Sequence, residues 1–134
     1  MIHKALCFLV FVALAAFFTA APVMAQDYGC RNAGDGVEFF VSKSLAAKYL
    51  GGGVPVFGAE IEGWDNNTPM TAAGDYWVAK VKGSSSGTQD WGFGRKKDGY
   101  PWYPSKKMVA DGAVKQGDVV DNGFNAFNFR TTCR

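Results

Sequence analysis

The pattern of apolar and polar residues along the chain predicts one short helix among several strands. Residues 37–41 are β-branched and aromatic, which is compatible with a strand or with the entry to a helix. Lys43–Leu50 follows with good helix formers and apolar residues at helical spacing. Ser42 is placed to cap this helix, and the glycines at 51–53 are placed to end it. It is the only helix that the pattern predicts.

Further strands are predicted where β-branched and aromatic residues stand between turns rich in glycine, asparagine, aspartate, proline and serine. These strands cover residues 54–62, 75–82, 88–95 and 124–131. One short helix packed on a small antiparallel sheet makes the fold class α+β. If the helix does not form, the alternative is an all-β sandwich or barrel.

Residues 109–120 contain two turn signals, Asp111-Gly112 and Gln116-Gly117-Asp118. Glycine and aspartate at these positions interrupt any helical pattern. The segment therefore predicts short strands around tight turns rather than a helix.

Residues 1–25 have the three parts of a secretory signal peptide: a basic start, an apolar run and small residues before Gln26. We place the cleavage after Ala25, with cleavage after Ala21 as the alternative. Residues 26–134 then form a single secreted domain, which we expect to be a monomer. Because no basic stop-transfer cluster follows the apolar run, we expect no stable membrane insertion.

Two cysteines remain in the secreted part, Cys30 near its start and Cys133 next to the last residue. An even pair in a small exported domain indicates a disulfide, and the alternative is free thiols or intermolecular bridges. The bond would close nearly the whole chain and contribute roughly 4 to 5 kcal/mol in the chain-entropy model. It would place the two ends side by side, so we expect the last segment to pair next to the first.

The histidine content limits the chemistry of the secreted part. The only histidine is His3, within the signal peptide. Serine-protease triads, cysteine–histidine pairs, histidine-liganded zinc and two-histidine ribonuclease chemistry are therefore excluded for this chain acting alone. Cleavage of RNA needs a base and an acid poised near the working pH. Asp75 or Glu62 would serve as the base, but no residue easily supplies the acid, so we predict a non-catalytic protein with no cofactor and no metal site.

Charge is segregated along the secreted part, whose net charge is +1 once Lys4 is removed. Residues 91–107, here called the basic-aromatic stretch, carry +4, which leaves −3 on the rest. The candidate binding residues of the stretch are Trp91, Arg95, Lys96, Lys97, Tyr100, Trp102, Tyr103, Lys106 and Lys107. Aromatic faces beside cations suit single-stranded nucleic acid, and also sugars or anionic polymers. The alternative is a hairpin whose aromatic residues belong to the core and whose lysines form a solvated tip.

Four features of the chain together carry a family resemblance. Asp27-Tyr28-Gly29-Cys30 follows the signal peptide, Cys133 lies at the C-terminal end, a helix follows the first strand region, and Pro55 stands seven residues before Glu62-Gly63-Trp64-Asp65. In these features the chain resembles the small fungal guanyl-specific ribonucleases and their secreted ribonuclease-like relatives in plant-pathogenic fungi. The resemblance implies that Cys30 pairs with Cys133. It also implies that Glu62 takes the position of the glutamate that recognises the guanine edge in the enzymes.

The chain also departs from this family. Val56 occupies the position of the catalytic histidine that follows the proline, and the second catalytic histidine has no counterpart. The nearest candidate for the catalytic glutamate is Asp75, one residue out of register. Residues 82–117 show no match. The resemblance therefore implies a ribonuclease-like scaffold without ribonuclease chemistry.

Together these observations predict a small secreted, effector-like binding protein with a role in virulence. We expect it to engage a host or competitor macromolecule, such as RNA or another polyanion, through the basic-aromatic stretch. The alternative is a carbohydrate-binding or cell-envelope module that uses Trp91, Trp102 and Tyr103 as a stacking platform. A third possibility is a protein inhibitor of a secreted hydrolase, with the stretch acting as a rigid plug.

Overall fold

The computed structural model describes residues 26–60, 64–82, 87–95, 101–123 and 127–133, and at positions 60 and 64–67 the backbone alone. Several positions from the sequence analysis lie outside the described residues: the signal peptide of residues 1–25, Glu62, Lys96, Lys97 and Tyr100. Among the residues that the structure does describe, no helix is long and apolar enough to cross a bilayer.

The described residues form mostly antiparallel strands, with short helices between them. The strands are β1 (Tyr28–Asn32), β2 (Gly36–Ser42), β3 (Val56–Glu60), β4 (Trp64–Pro69), β5 (Thr71–Ala73), β6 (Tyr76–Lys82), β7 (Gly87–Gly94), β8 (Trp102–Tyr103), β9 (Val119–Asp121) and β10 (Phe127–Cys133). The helices are α1 (Lys43–Leu50) and α2 (Lys106–Ala110), and a 3-10 turn covers Gln116–Asp118. Each of the four predicted strands is present over most of its described length, as β3, β6, β7 and β10. Residues 37–41 belong to β2.

The strands form two antiparallel sheets. Sheet A has the order β1-β2-β6-β5, and sheet B has the order β4-β3-β7-β10-β9. The two-residue strand β8 pairs with the end of β7 at Phe93 and Gly94. The chain passes from β4 in sheet B to β5 in sheet A through the single residue Met70, whose N–H donates to the Pro55 carbonyl at 2.9 Å.

Both sheets contribute apolar side chains to one core. Side chains alternate between the faces of a strand, so β2 buries Val37, Phe39 and Val41 while β7 buries Trp91 and Phe93. The ring of Phe39 joins the two layers, with its centroid 4.9 Å from that of Phe57 and 5.2 Å from that of Trp91. Burial of a phenylalanine side chain stabilises a fold by about 1.5–3 kcal/mol. Aromatic rings from both sheets meet in this core, among aliphatic residues and methionines.

Helix α1 confirms the predicted helix. The Leu45 N–H donates to the Ser42 side-chain oxygen at 3.1 Å, as an N-terminal cap does. Gly51 follows the helix with a φ of 79°, in the region that glycine adopts most easily. The helix buries Leu45, Ala46 and Leu50 in the core.

Helix α2 and the 3-10 turn correct the prediction for residues 109–120. The segment begins inside a helix that Ser105 caps, since the Met108 N–H donates to the Ser105 side-chain oxygen at 3.2 Å. The fully buried Met108 anchors this helix. Asp111-Gly112 does form a turn, but the second turn signal lies in the 3-10 turn, and strand structure begins only at Val119. A five-residue helix is too short to show a periodic pattern in the sequence.

The predicted disulfide between Cys30 and Cys133 is confirmed, with the two Cα atoms 4.6 Å apart. The expectation that the last strand pairs with the first is wrong. β1 pairs with β2 in sheet A, whereas β10 lies between β7 and β9 in sheet B. The bond therefore links the two sheets, and beside it the Tyr28 ring stacks on Phe129 with centroids 4.6 Å apart.

Candidate functional site

Two of the aromatic residues that the sequence assigned to binding belong to the core. Trp91 is 0% exposed and Tyr103 is 8% exposed. Both polar tips find internal partners: the Trp91 indole N–H donates to the Thr131 hydroxyl at 2.9 Å, and the Tyr103 hydroxyl donates to the Tyr49 carbonyl at 3.2 Å. These rings offer no face to a base or a sugar. The assignment of Trp91 and Tyr103 to binding is therefore corrected, and the stacking platform they were to form with Trp102 is not present.

The described cations of the basic-aromatic stretch lie at the surface. Arg95 directly follows β7, and Lys106 and Lys107 open α2; all three are exposed. Lys107 pairs with Asp111, its Nζ 3.1 Å from the carboxylate. Within the described part of the chain, Arg95 and Lys106 form no ion pair.

The pairing of β8 with β7 brings together the residues on either side of Lys96 and Lys97 in the chain. Residues 96–100 lie in the chain between the end of β7 and β8. Tyr103 pairs with Phe93, and their rings stack with centroids 5.5 Å apart. Gly92 permits this close approach, because a Cβ there would lie 2.6 Å from the Tyr103 carbonyl oxygen. Trp102 pairs with Gly94 and is partly exposed.

A polar cluster joins α1 to α2 beside the stretch. The Tyr49 hydroxyl donates to one Asp111 oxygen at 2.8 Å, and the Lys107 ammonium donates to both oxygens at 3.1 and 3.3 Å. The bonds from Tyr49 and Lys107, with a smaller contribution from the charge of Lys48, lower the pKa of the Asp111 carboxyl. Lys48 is thus a neighbouring cation that the sequence analysis missed. Only the contact of Tyr49 in α1 with Asp111, directly after α2, reveals it.

A second polar group lies on the face of sheet B away from the core. Arg130 donates to the Asp90 carboxylate through Nε and Nη2, both at 2.7 Å. Together with Thr88 and Gln89, this pair lines a shallow depression. Because the two charges neutralise each other, the depression is a poorer candidate for anion binding than the basic-aromatic stretch.

The candidate base Asp75 is exposed at the turn between β5 and β6, where its carbonyl accepts from the Lys43 N–H at 2.8 Å. Across the described ranges, histidine, cysteine, aspartate and glutamate side chains form no group of three or more that is placed to hold a metal ion. Glu62, the other candidate base, lies outside these ranges.

Comparison of the chain with protein-family models, curated proteins and solved structures gives no match. The ribonuclease-like relationship therefore remains a prediction from the sequence.

Proposed function

We propose that the protein is a small secreted binding protein that engages a polyanionic host macromolecule through the surface residues of the basic-aromatic stretch. The main support for this proposal is a pair of exposed cations within the stretch, Arg95 and Lys106. Neither has an ion-pair partner among the described residues. Lys96 and Lys97 lie between them in the chain. A run of cations of this kind pairs with a chain of phosphates.

Single-stranded RNA is the polyanion that this chemistry favours. Trp102 supplies a partly exposed aromatic residue in the same stretch as the cations, and a base stacked on an aromatic ring contributes about 1–3 kcal/mol. A sulfated polysaccharide offers charge but no flat base, so it gains less from Trp102. Weaker binding of heparin than of RNA at equal salt supports this choice, and the reverse order contradicts it.

The proposal also covers the export, oligomeric state, biological role and fold class of the protein. Residues 1–25 direct export, and the protein acts as a monomeric, effector-like factor in virulence. We class the fold as α+β, with α1 packed on the antiparallel sheet structure, which agrees with the ribonuclease-like scaffold implied by the resemblance. The inward burial of Leu45, Ala46 and Leu50 supports this class.

Binding occurs without turnover in this proposal. Residues 26–134 contain no imidazole to exchange protons near neutral pH. A labelled single-stranded RNA incubated with the purified secreted protein should stay as intact as in a matched blank. Cleavage above the blank that is lost in Asp75→Asn or Glu62→Gln would overturn this part of the proposal.

A double variant in which Lys96 and Lys97 are both replaced by glutamate tests the proposed contacts with phosphates. The double variant should bind RNA more weakly and should flatten the salt dependence, because each lost phosphate contact lowers the slope of log K against log salt by about 0.7. The matched control replaces Lys43 and Lys82, which lie at the start of α1 and the end of β6, with the same change in charge. Fluorescence anisotropy over a range of salt concentrations measures both variants. An equal loss in both would show that net charge, and not this site, controls binding.

The carbohydrate-binding function has less support than the binding of RNA. A carbohydrate-binding module would need the rings of Trp91 and Tyr103, which are in the core. The inhibitor function stays a prediction, and stoichiometric titration of a secreted hydrolase would test it.

A further inference from the structure

The chain that follows the predicted cleavage site is fastened to sheet A. The Ser42 hydroxyl donates to the Asp27 carboxylate at 2.8 Å, and the Ser42 N–H donates to the Asp27 carbonyl at 2.6 Å. One residue earlier, the Tyr76 hydroxyl donates to the Gln26 carbonyl at 2.8 Å. Gln26 is therefore held to the domain through its backbone oxygen.

The side-chain amide of Gln26 takes no part in these bonds. Gln26 is exposed, and among the described residues its side-chain amide forms no hydrogen bond. The side chain turns back toward β1, since a Cβ on Gly29 would lie 3.3 Å from the Gln26 Oε1 atom. Cleavage after Ala25 would convert the Gln26 nitrogen into a primary amine in the same residue as this amide.

We propose that Gln26 of the secreted protein is a modification site and cyclises to pyroglutamate. The α-amine nitrogen attacks the side-chain Cδ, the N–Cδ bond forms, the Cδ–Nε2 bond breaks, and Nε2 leaves as ammonia. The reaction needs no oxidant, reductant or second substrate. The backbone carbonyl is unchanged, so the hydrogen bond from Tyr76 is kept. This inference rests on the proposed export and not on the proposed binding of RNA.

Cyclisation would protect the contacts that hold α1. An aminopeptidase needs a free terminal amine, and the lactam has none. Removal of Gln26 and then Asp27 would strip Ser42 of its carboxylate partner, and Ser42 is the residue that caps α1. The lactam also removes a positive charge from the end of the chain while leaving the cations of the basic-aromatic stretch untouched.

The test uses the full chain with its own residues 1–25, expressed in a eukaryotic secretion host and purified from the medium with the disulfide intact. The intact mass should correspond to residues 26–134 less one ammonia and the two hydrogens lost in the disulfide, and the N-terminal peptide should likewise be one ammonia lighter than its sequence. Edman degradation should fail until pyroglutamate aminopeptidase removes the first residue. The Gln26→Ala variant, which cannot form the lactam, should give a readable sequence and should be trimmed by an aminopeptidase that leaves the wild type intact.

A free amine on Gln26 in the secreted protein would overturn the proposal. A chain that begins at Pro22, or that retains the signal peptide, would also overturn it and would in addition show that the cleavage site is wrong. Binding of RNA is measured on the same preparation. Absence of RNA binding in a protein with a blocked terminus would contradict the proposed function alone.

Discussion

At the scale of single residues, Tyr28 makes the stability of the fold sensitive to pH in the alkaline range. Its hydroxyl donates to Asp118 at 2.6 Å and accepts from the Lys115 N–H at 3.1 Å. Burial, and next the bond to Asp118, raise the pKa of Tyr28 from 10.0 to about 12. The neutral form stabilises the fold fully below pH 10, and this contribution is lost as the pH rises toward 12, where the folded form also ionises.

Tyr28→Phe should therefore lose less thermal stability than the wild type between pH 10 and about 12. The variant cannot release a proton at this position, whereas the unfolded wild type can. Tm measured by circular dichroism at several pH values in this range gives the comparison. Parallel losses in the two proteins would contradict the role assigned to Tyr28.

Asp111 offsets the positive charge of Lys107 at the candidate site. Asp111→Asn keeps an acceptor for the Tyr49 hydroxyl and removes the negative charge that pairs with Lys107. RNA should then bind more tightly, and the salt slope should steepen by about 0.7 if Lys107 gains one phosphate contact. The matched control is Asp35→Asn, which removes a carboxylate that pairs with Lys80 at 2.7 Å in sheet A. Anisotropy titrations that show the same gain for both variants would contradict a local effect.

At the scale of secondary-structure elements, α1 depends on its cap. Ser42 is 6% exposed, accepts from the Leu45 N–H and donates to Asp27. Ser42→Ala should lower the free energy of unfolding by about 0.5–2 kcal/mol. Ser44→Ala is the comparison: its exposed hydroxyl lies 3.3 Å from the Ser42 oxygen but does not bond the Leu45 N–H, so its loss should cost less than loss of the cap. Denaturant unfolding measures both, and equal effects would mean that the cap does not stabilise the helix.

The elements also show what the sequence can and cannot predict. α1 is predictable because its cap, its apolar spacing and its terminating glycine are all local. Strand β8 is not, because two residues carry no pattern and their pairing depends on the space above Gly92. β5 has only three residues, and α2 depends on burial of Met108. Short elements of this kind form because of their partners in the fold.

The candidate site was predictable only in part. The cations of the basic-aromatic stretch are plain in the sequence. The burial of Trp91 also had a signal there, because Trp91 and Phe93 alternate with Asp90 and Gly92 as on a strand with one inner face. Lys48 had no such signal, since it acts on Asp111 across a contact between positions that are distant in the chain.

At the scale of the whole molecule, two sheets share an aromatic core and the disulfide joins the first strand of one to the last strand of the other. The chain separation of 103 residues between Cys30 and Cys133 makes this the kind of link that most restricts the unfolded state. Such a scaffold holds β7, β8 and α2 in place. Gly94 and Trp102, which stand on either side of residues 95–101 in the chain, pair with each other between β7 and β8.

We propose that the surface of the basic-aromatic stretch binds a polyanion without changing it. The most direct test is the affinity of the purified secreted protein for a labelled single-stranded RNA over a range of salt concentrations, with the RNA recovered and sized afterwards. If Arg95, Lys96, Lys97 and Lys106 each contact a phosphate, log K should fall against log salt with a slope of about −3, and the RNA should remain intact. Absence of binding, affinity that does not change with salt, or RNA that is cleaved would contradict the account.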